Sequence, residues 1–360
     1  MAVTSGLLDE RELYGRRARA IPPLRRTLVV AAAAIALLFV APVLVKVYAH
    51  AGRAAALGLV PLVTIGALVV AHFSCVWALQ RLILRTSNRV DVASAQLAAN
   101  ATSHVAPAGG AVGVGLQLRM LTVAGFPASQ AATAMAAAAV LGTVASYLVL
   151  PLVVLMASAL GGGVPDQLVT AMWSAAVVLA VLLVVAGAFA SRDEPWRWLA
   201  GIIARVLRLL RKPSSAEELG GRLVRERDLI RAALRGRAGW VAVLALAQPL
   251  TDYAALLVAV RAAGAHVGAA TTLAAFVVSN VAGLVPFTPG GLGFVEAGLG
   301  HVLAMGGASH GDAHLAVATY RLATAWLPCL AGFLALALFH RRHRATTSTP
   351  VATTELSPIG

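Results

Sequence analysis

Hydrophobic residues make up 59% of the 360-residue chain, charged residues 12%, and the mean hydropathy is +0.82. A soluble domain carries about 25% charged residues, so the composition excludes that class and predicts an all-α polytopic membrane protein. The formal net charge of +14 would suit a nucleic-acid footprint, but no recognition motif accompanies it. Arg outnumbers Lys 27 to 2, a ratio that GC-rich coding explains, and no nucleic-acid partner is expected.

Residues 1–26 form a basic N-terminus that is mostly polar, so the chain does not open on a signal peptide. Apolar windows approaching or exceeding the ~20 residues needed to cross a bilayer follow at 27–47, 54–82, 131–159, 168–190, 239–262 and 314–339. Two further apolar regions, 92–124 and 268–305, are interrupted. The chain divides into a first membrane half at 27–191, a connection at 192–238, a second half at 239–340 and a tail at 341–360. The end of that tail, rich in Thr, Ser and Pro, is expected to be disordered.

The two interruptions are alike. Asn100-Ala-Thr-Ser-His104-Val-Ala-Pro107-Ala-Gly109-Gly110 breaks the first region, and Asn280-Val-Ala-Gly-Leu-Val-Pro286-Phe-Thr-Pro289-Gly290-Gly291 breaks the second. Proline removes a backbone donor, glycine weakens a helix, and lipid supplies no replacement hydrogen bonds. Such breaks persist in a membrane only where protein or a polar cavity covers the freed backbone. The apolar pieces flanking each break are too short for a comfortable span, which predicts two re-entrant helix pairs.

Charge placement orients the chain. If the N-terminus, the segment after the second span, the 192–238 connection and the tail are cytoplasmic, 24 of the 29 basic residues lie inside. Lys46, Arg53 and Arg261 fall outside, while Arg119 and Arg321 lie within apolar regions. Six full spans with both termini cytoplasmic satisfy this layout. The first break then enters from the cytoplasm and the second from outside, giving an inverted repeat with discontinuous helices, an architecture of many secondary transporters.

In the connection, Trp196, Trp198, Ile202, Ile203, Leu207 and Leu210 alternate with Arg197, Arg205, Arg208 and Arg211 at helical spacing. This predicts a basic amphipathic helix in the headgroup plane, anchored by tryptophan and by anionic lipid. Mixed Glu and Arg over 214–235 predict a solvated helix after it.

The string Pro286-Phe-Thr-Pro289-Gly290-Gly291-Leu-Gly293-Phe-Val-Glu296, followed later by Arg321, resembles the lysylphosphatidylglycerol synthase transmembrane-region family, also called the flippase-like domain family. That family carries Pro-x-x-Pro-Gly-Gly-x-Gly-x-x-Glu and a later arginine in its second half. In the first half Asn100, Pro107 and Arg119 fit the expected order, but Gly113-Val-Gly115-Leu-Gln117 lacks the usual acid. The resemblance covers roughly 25–340. It implies translocation of a lipid or lipid-linked head group, in the plasma membrane of a bacterium. This chain carries no synthase domain, so any enzyme making its substrate is expected to be a separate chain.

Several residues are candidates for that chemistry. A charge at membrane depth costs about 2.5–3.5 kcal/mol on insertion scales, so Glu296 and Arg321 are expected to meet. The pair either locks a re-entrant helix to the last span or frees Arg321 to bind a lipid phosphate through its planar fork; an Arg321 near the outer interface would snorkel instead. Arg119 is either functional or snorkelling. His104 is a satisfied polar contact or a proton site, and Asp252 a proton or cation site or a cavity wall. Asn100 and Asn280 are expected to bond carbonyls freed at the breaks. Helix N-termini after Pro107 and Pro289 would favour an anionic head group. Gly109, Gly110, Gly290, Gly291 and Gly293 permit close backbone approach for packing or for ligand.

No P-loop, nucleophile elbow or zinc-protease motif occurs in the sequence, and no metal or cofactor is expected. Cys75 and Cys329 read as buried small hydrophobes. Two rival functions remain: an intramembrane transferase subunit with Glu296 as base, and a non-transporting scaffold of an envelope-synthesis complex.

Overall fold

The computed structural model describes residues 57–106, 109–161, 164–170, 191–209, 236–283, 289–291 and 293–345, with isolated positions between 173 and 228. Among these residues every regular element is helical. The expected spans at 27–47 and, for the most part, 168–190 lie outside the described residues, as do Pro107, Pro286 and the chain after 345.

The first half holds α1 (Leu59–Leu84), α2 (Arg89–Val105), α3 (Gly109–Val123), α4 (Ala128–Val144), a π-helical turn (Ala145–Val149) and α5 (Leu150–Ala159). Helix α6 (Glu194–Leu209) is the amphipathic helix expected of the connection, and Trp198 on it is exposed. The second half holds α7 (Ala238–Ala262), α8 (Ala269–Gly283), a short 3-10 turn (Pro289–Gly291), α9 (Phe294–Met305), α10 (His310–Arg321), a second π turn (Leu322–Trp326) and α11 (Leu327–Ala345).

Among the described residues four helical stretches are long and apolar enough to cross a membrane: Leu59–Leu84, Ala128–Ala159, Ala238–Ala262 and His310–His343. They coincide with the windows predicted at 54–82, 131–159, 239–262 and 314–339. The interrupted regions each become two shorter helices. With 15 and 12 residues, α8 and α9 reach only about 22 and 18 Å at 1.5 Å per residue, short of a hydrocarbon core of about 30 Å.

Local chemistry sets several boundaries. The Asn88 side chain caps α2 by accepting from the Asp91 N–H, and Ser309 does the same for α10 through the Asp312 N–H. Both π turns run directly into a Leu-Pro pair, Leu150-Pro151 and Leu327-Pro328. Proline lacks the N–H that would bond the preceding turn, and a widened π turn accommodates that loss.

The halves pack in matched pairs. Long helices α1 and α7 lie along each other; α2 packs on α11 as α8 packs on α5; α1 contacts α4 as α7 contacts α10; α3 meets α4 as α9 meets α10. The α2–α11 approach depends on Gly332, where a Cβ would collide with the Leu97 carbonyl. One core, centred on α7, α8, α9 and α10, includes Leu256, Val260, Phe276 and Leu299; a second, around α1, α2 and α3, includes Leu79, Val92 and Leu121.

Outward faces stay apolar: Leu59, Val60, Leu330 and Leu334 are exposed, as lipid-facing helices require. The small residues Ala95, Ala98 and Ala101 line the inner face of α2, and such residues let helix backbones approach closely in a membrane.

Candidate functional site

The second break builds the site. Gly290, Gly291 and Gly293 all adopt positive φ, at 61°, 68° and 86°, a backbone conformation that L side chains resist. The Pro-Gly-Gly-x-Gly string ends at the start of α9, where Glu296 occupies the third helical position. Its Oε2 accepts from the Gly293 N–H at 2.7 Å, reaching back over the helix end. That bond satisfies one of the N–H groups a helix N-terminus leaves free.

The other carboxylate oxygen meets Arg321. The Arg321 Nε donates to Glu296 Oε1 at 2.7 Å, and Nη2 donates to the Gly290 carbonyl at 3.2 Å. The arginine side chain is 9% exposed and the glutamate 25%. The expected ion pair therefore forms, and it clips the last residue of α10 to the broken segment. Its two bonds leave the Nη1 edge of the guanidinium with no acceptor among the described residues.

The first break arrives at the same place. The His104 Nδ1 lies 2.9 Å from the Asn100 carbonyl, which makes it the N–H donor. Its ring presses on the second break so closely that a Cβ at Gly290 would stand 2.7 Å from His104 Cδ2. His104, Gly290, Glu296 and Arg321 thus belong to one cluster drawn from both halves.

A second polar group adjoins it through the chain. Tyr320, next to Arg321, donates its hydroxyl to Asp252 Oδ1 at 2.9 Å, and Thr324 donates to the Tyr320 carbonyl at 2.9 Å. On the facing helix α1, His72 Nδ1 lies 2.9 Å from the carbonyl of Gln248, one turn before Asp252. The sequence reading missed both His72 and Tyr320. The signal available was helical position: each lies in an apolar helix, where a polar group needs a partner.

Other candidates lie elsewhere. Arg119 is exposed on α3 and makes no hydrogen bond or ion pair with the Glu296–Arg321 cluster. Asn280 contributes its backbone carbonyl, which accepts from the Tyr147 hydroxyl at 3.1 Å. The expectation that both asparagine amides tie freed carbonyls fails at Asn100, whose Nδ2 is buried without a partner; its backbone carbonyl, bonded by His104, is the group in use. Gly109 and Gly113 serve packing: a Cβ on either would strike Ser103 of α2. Gly110 faces open space. Cys329 is buried against the Ala101 carbonyl, and both cysteines are free thiols.

Where the first half lacks its acid, three glutamines converge. Gln117 Nε2 donates to Gln96 Oε1 at 2.7 Å and to Gln80 Oε1 at 3.2 Å, and Gln80 Nε2 donates to Gln96 Oε1 at 2.9 Å. This neutral amide cluster joins α1, α2 and α3. Among the described residues no group of three or more His, Cys, Asp or Glu side chains is placed to hold a metal ion.

These features define a helical multi-pass membrane protein with an ion-paired arginine at a broken helix. The chain belongs to the lysylphosphatidylglycerol synthase TM region family, whose model matches residues 27–332. It is therefore a membrane protein of lipid-related processes. No curated protein matches it.

Proposed function

We propose that this protein moves an anionic lipid or lipid-linked head group between membrane leaflets. The observation that carries the reading is the Nη1 edge of Arg321, which has no acceptor among the described residues and lies beside a break that the other half also contacts. A planar guanidinium presents paired N–H groups that match phosphate oxygens. Membership in the lysylphosphatidylglycerol synthase TM region family supports a lipid substrate.

The matched order of long helix, broken pair and π-interrupted helix in each half supports an inverted repeat of two re-entrant units. The head group would cross between them while its acyl chains stay in lipid, and the halves would rock about the breaks. In this reading the protein sits in a bacterial plasma membrane with both termini cytoplasmic and receives lipid from a separate synthesis enzyme. The transferase alternative is less favoured because both Glu296 oxygens already accept hydrogen bonds, a poor starting point for a general base.

The test is leaflet transfer of fluorescent phosphatidylglycerol in phosphatidylcholine vesicles. The wild-type protein should accelerate transfer over protein-free vesicles, and Arg321→Lys should lose most of that acceleration because lysine lacks the bidentate fork. Equal transfer by wild-type and Arg321→Lys protein would remove the phosphate role of Arg321. A wild-type protein that is folded yet inert toward a panel of anionic lipids would overturn the transport reading.

A further inference from the structure

Two carboxylates share the surroundings of the buried Arg321. Glu296 is bonded to Arg321 directly, and Asp252 lies within electrostatic reach of Arg321 and His72 while bonded to Tyr320. With both carboxylates ionised, Arg321 faces two anions. A phosphate bound on the Nη1 edge of Arg321 adds a third negative charge. Like charges repel more strongly where water is scarce, and buried charges persist only when compensated.

We propose that Asp252, with Tyr320 and His72, forms a proton site that fills when an anionic head group binds Arg321. This rests on the transport reading above and adds its coupling ion. The geometry suits the role. Asp252 Oδ1 accepts from the Tyr320 hydroxyl whether or not the acid is protonated, so a proton settles on Oδ2, which has no hydrogen-bond partner among the described residues. His72, which donates through Nδ1 to the Gln248 carbonyl, lies within electrostatic reach of Asp252 from α1.

The surroundings of Asp252 contain few competing groups. Of the elements packed on α7, α1 contributes His72 and, further along the same helix, the Cys75 thiol and Arg81. From α10 come Tyr320 and, through it, the Arg321–Glu296 pair, while His310, Asp312 and His314 lie in its first turns. The first π turn contributes Tyr147, already bonded to the Asn280 carbonyl, and α4 and α8 carry no titratable side chain. The proton site also adjoins a distortion of the helix. Tyr320 and Arg321 end α10 immediately before the π turn at Leu322–Trp326, a type of distortion frequent at functional sites.

The experiment titrates short-chain phosphatidylglycerol into the detergent-solubilised full-length protein by calorimetry, in two buffers of different ionisation enthalpy. The difference in heat counts protons exchanged on binding. Wild-type protein should take up about one proton per lipid near neutral pH, as linkage of the two charges requires. Asp252→Asn should bind with no proton uptake, and Tyr320→Phe, which keeps the carboxyl, should retain uptake with its pH midpoint shifted. A folded Asp252→Asn protein, judged by size exclusion, with wild-type proton uptake overturns the assignment, as does lipid binding by the wild type without uptake. If Asp252→Asn fails to fold, an unshifted midpoint in Tyr320→Phe overturns it. Proton-linked binding without leaflet transfer in vesicles sinks the transport reading and leaves the proton site standing. Absence of any lipid binding sinks both.

Discussion

The contact between the two breaks makes a quantitative prediction at Gly290. Alanine there must hold φ near 61°, a left-handed conformation that costs a side-chain-bearing residue about 1–2 kcal/mol. Its Cβ would also lie 2.7 Å from His104 Cδ2 and 3.3 Å from His104 Cα, and overpacking of this kind costs about 1–3 kcal/mol. Gly290→Ala should therefore destabilise by about 2–5 kcal/mol. The two contributions separate in a double-mutant cycle with His104→Ala, which removes the ring and leaves the backbone strain. Thermal unfolding in detergent, followed by circular dichroism, reads the cycle. Gly290→Ala should cost less in the His104→Ala background than in wild type, with a coupling of about 1 kcal/mol or more. Additivity of the two substitutions would refute the claim that the first broken segment presses on the second.

Three further outcomes follow from the same geometry. Glu296→Ala and Arg321→Ala should each destabilise by about 3–5 kcal/mol, because each strands a largely buried charge; the double substitution should cost clearly less than the sum, and strict additivity in unfolding measurements would deny the pair. Gln117→Leu removes the donor that bridges Gln80 and Gln96, which should cost about 1–3 kcal/mol for unsatisfied buried amides. A neutral result in the same assay would mean that water replaces the amide. Gly332→Val should separate α2 from α11, since even a single Cβ meets the Leu97 carbonyl; loss of the folded, monodisperse protein on size exclusion is the expected result, and a normal elution profile counts against the close approach.

The sequence reading reached the helical class, four of the spans and both interruptions by simple physics. A run of apolar residues has one stable form in lipid, and its length follows from bilayer thickness. The Glu296–Arg321 pair was legible for a related reason, since two opposite charges in apolar surroundings each need the other. Asn100 shows the limit. Its amide was expected to tie a freed carbonyl, yet it is buried without a partner while its backbone carbonyl does the bonding. Which atom of a residue is used depends on helix rotation, and periodicity does not specify rotation where polar residues are spread around the helix, as they are in α2.

Composition and charge placement by themselves thus determined that this chain is a helical membrane protein broken twice, because solvation by lipid acts on each segment separately. Only the tertiary structure decided that the breaks touch, that His72 and Tyr320 bracket Asp252 through α1 and α10, and that glutamines fill the first half where an acid is missing. Those relations join residues up to 248 positions apart (His72 to Tyr320), and contacts at such separation are set by how helices pack, which no local pattern encodes.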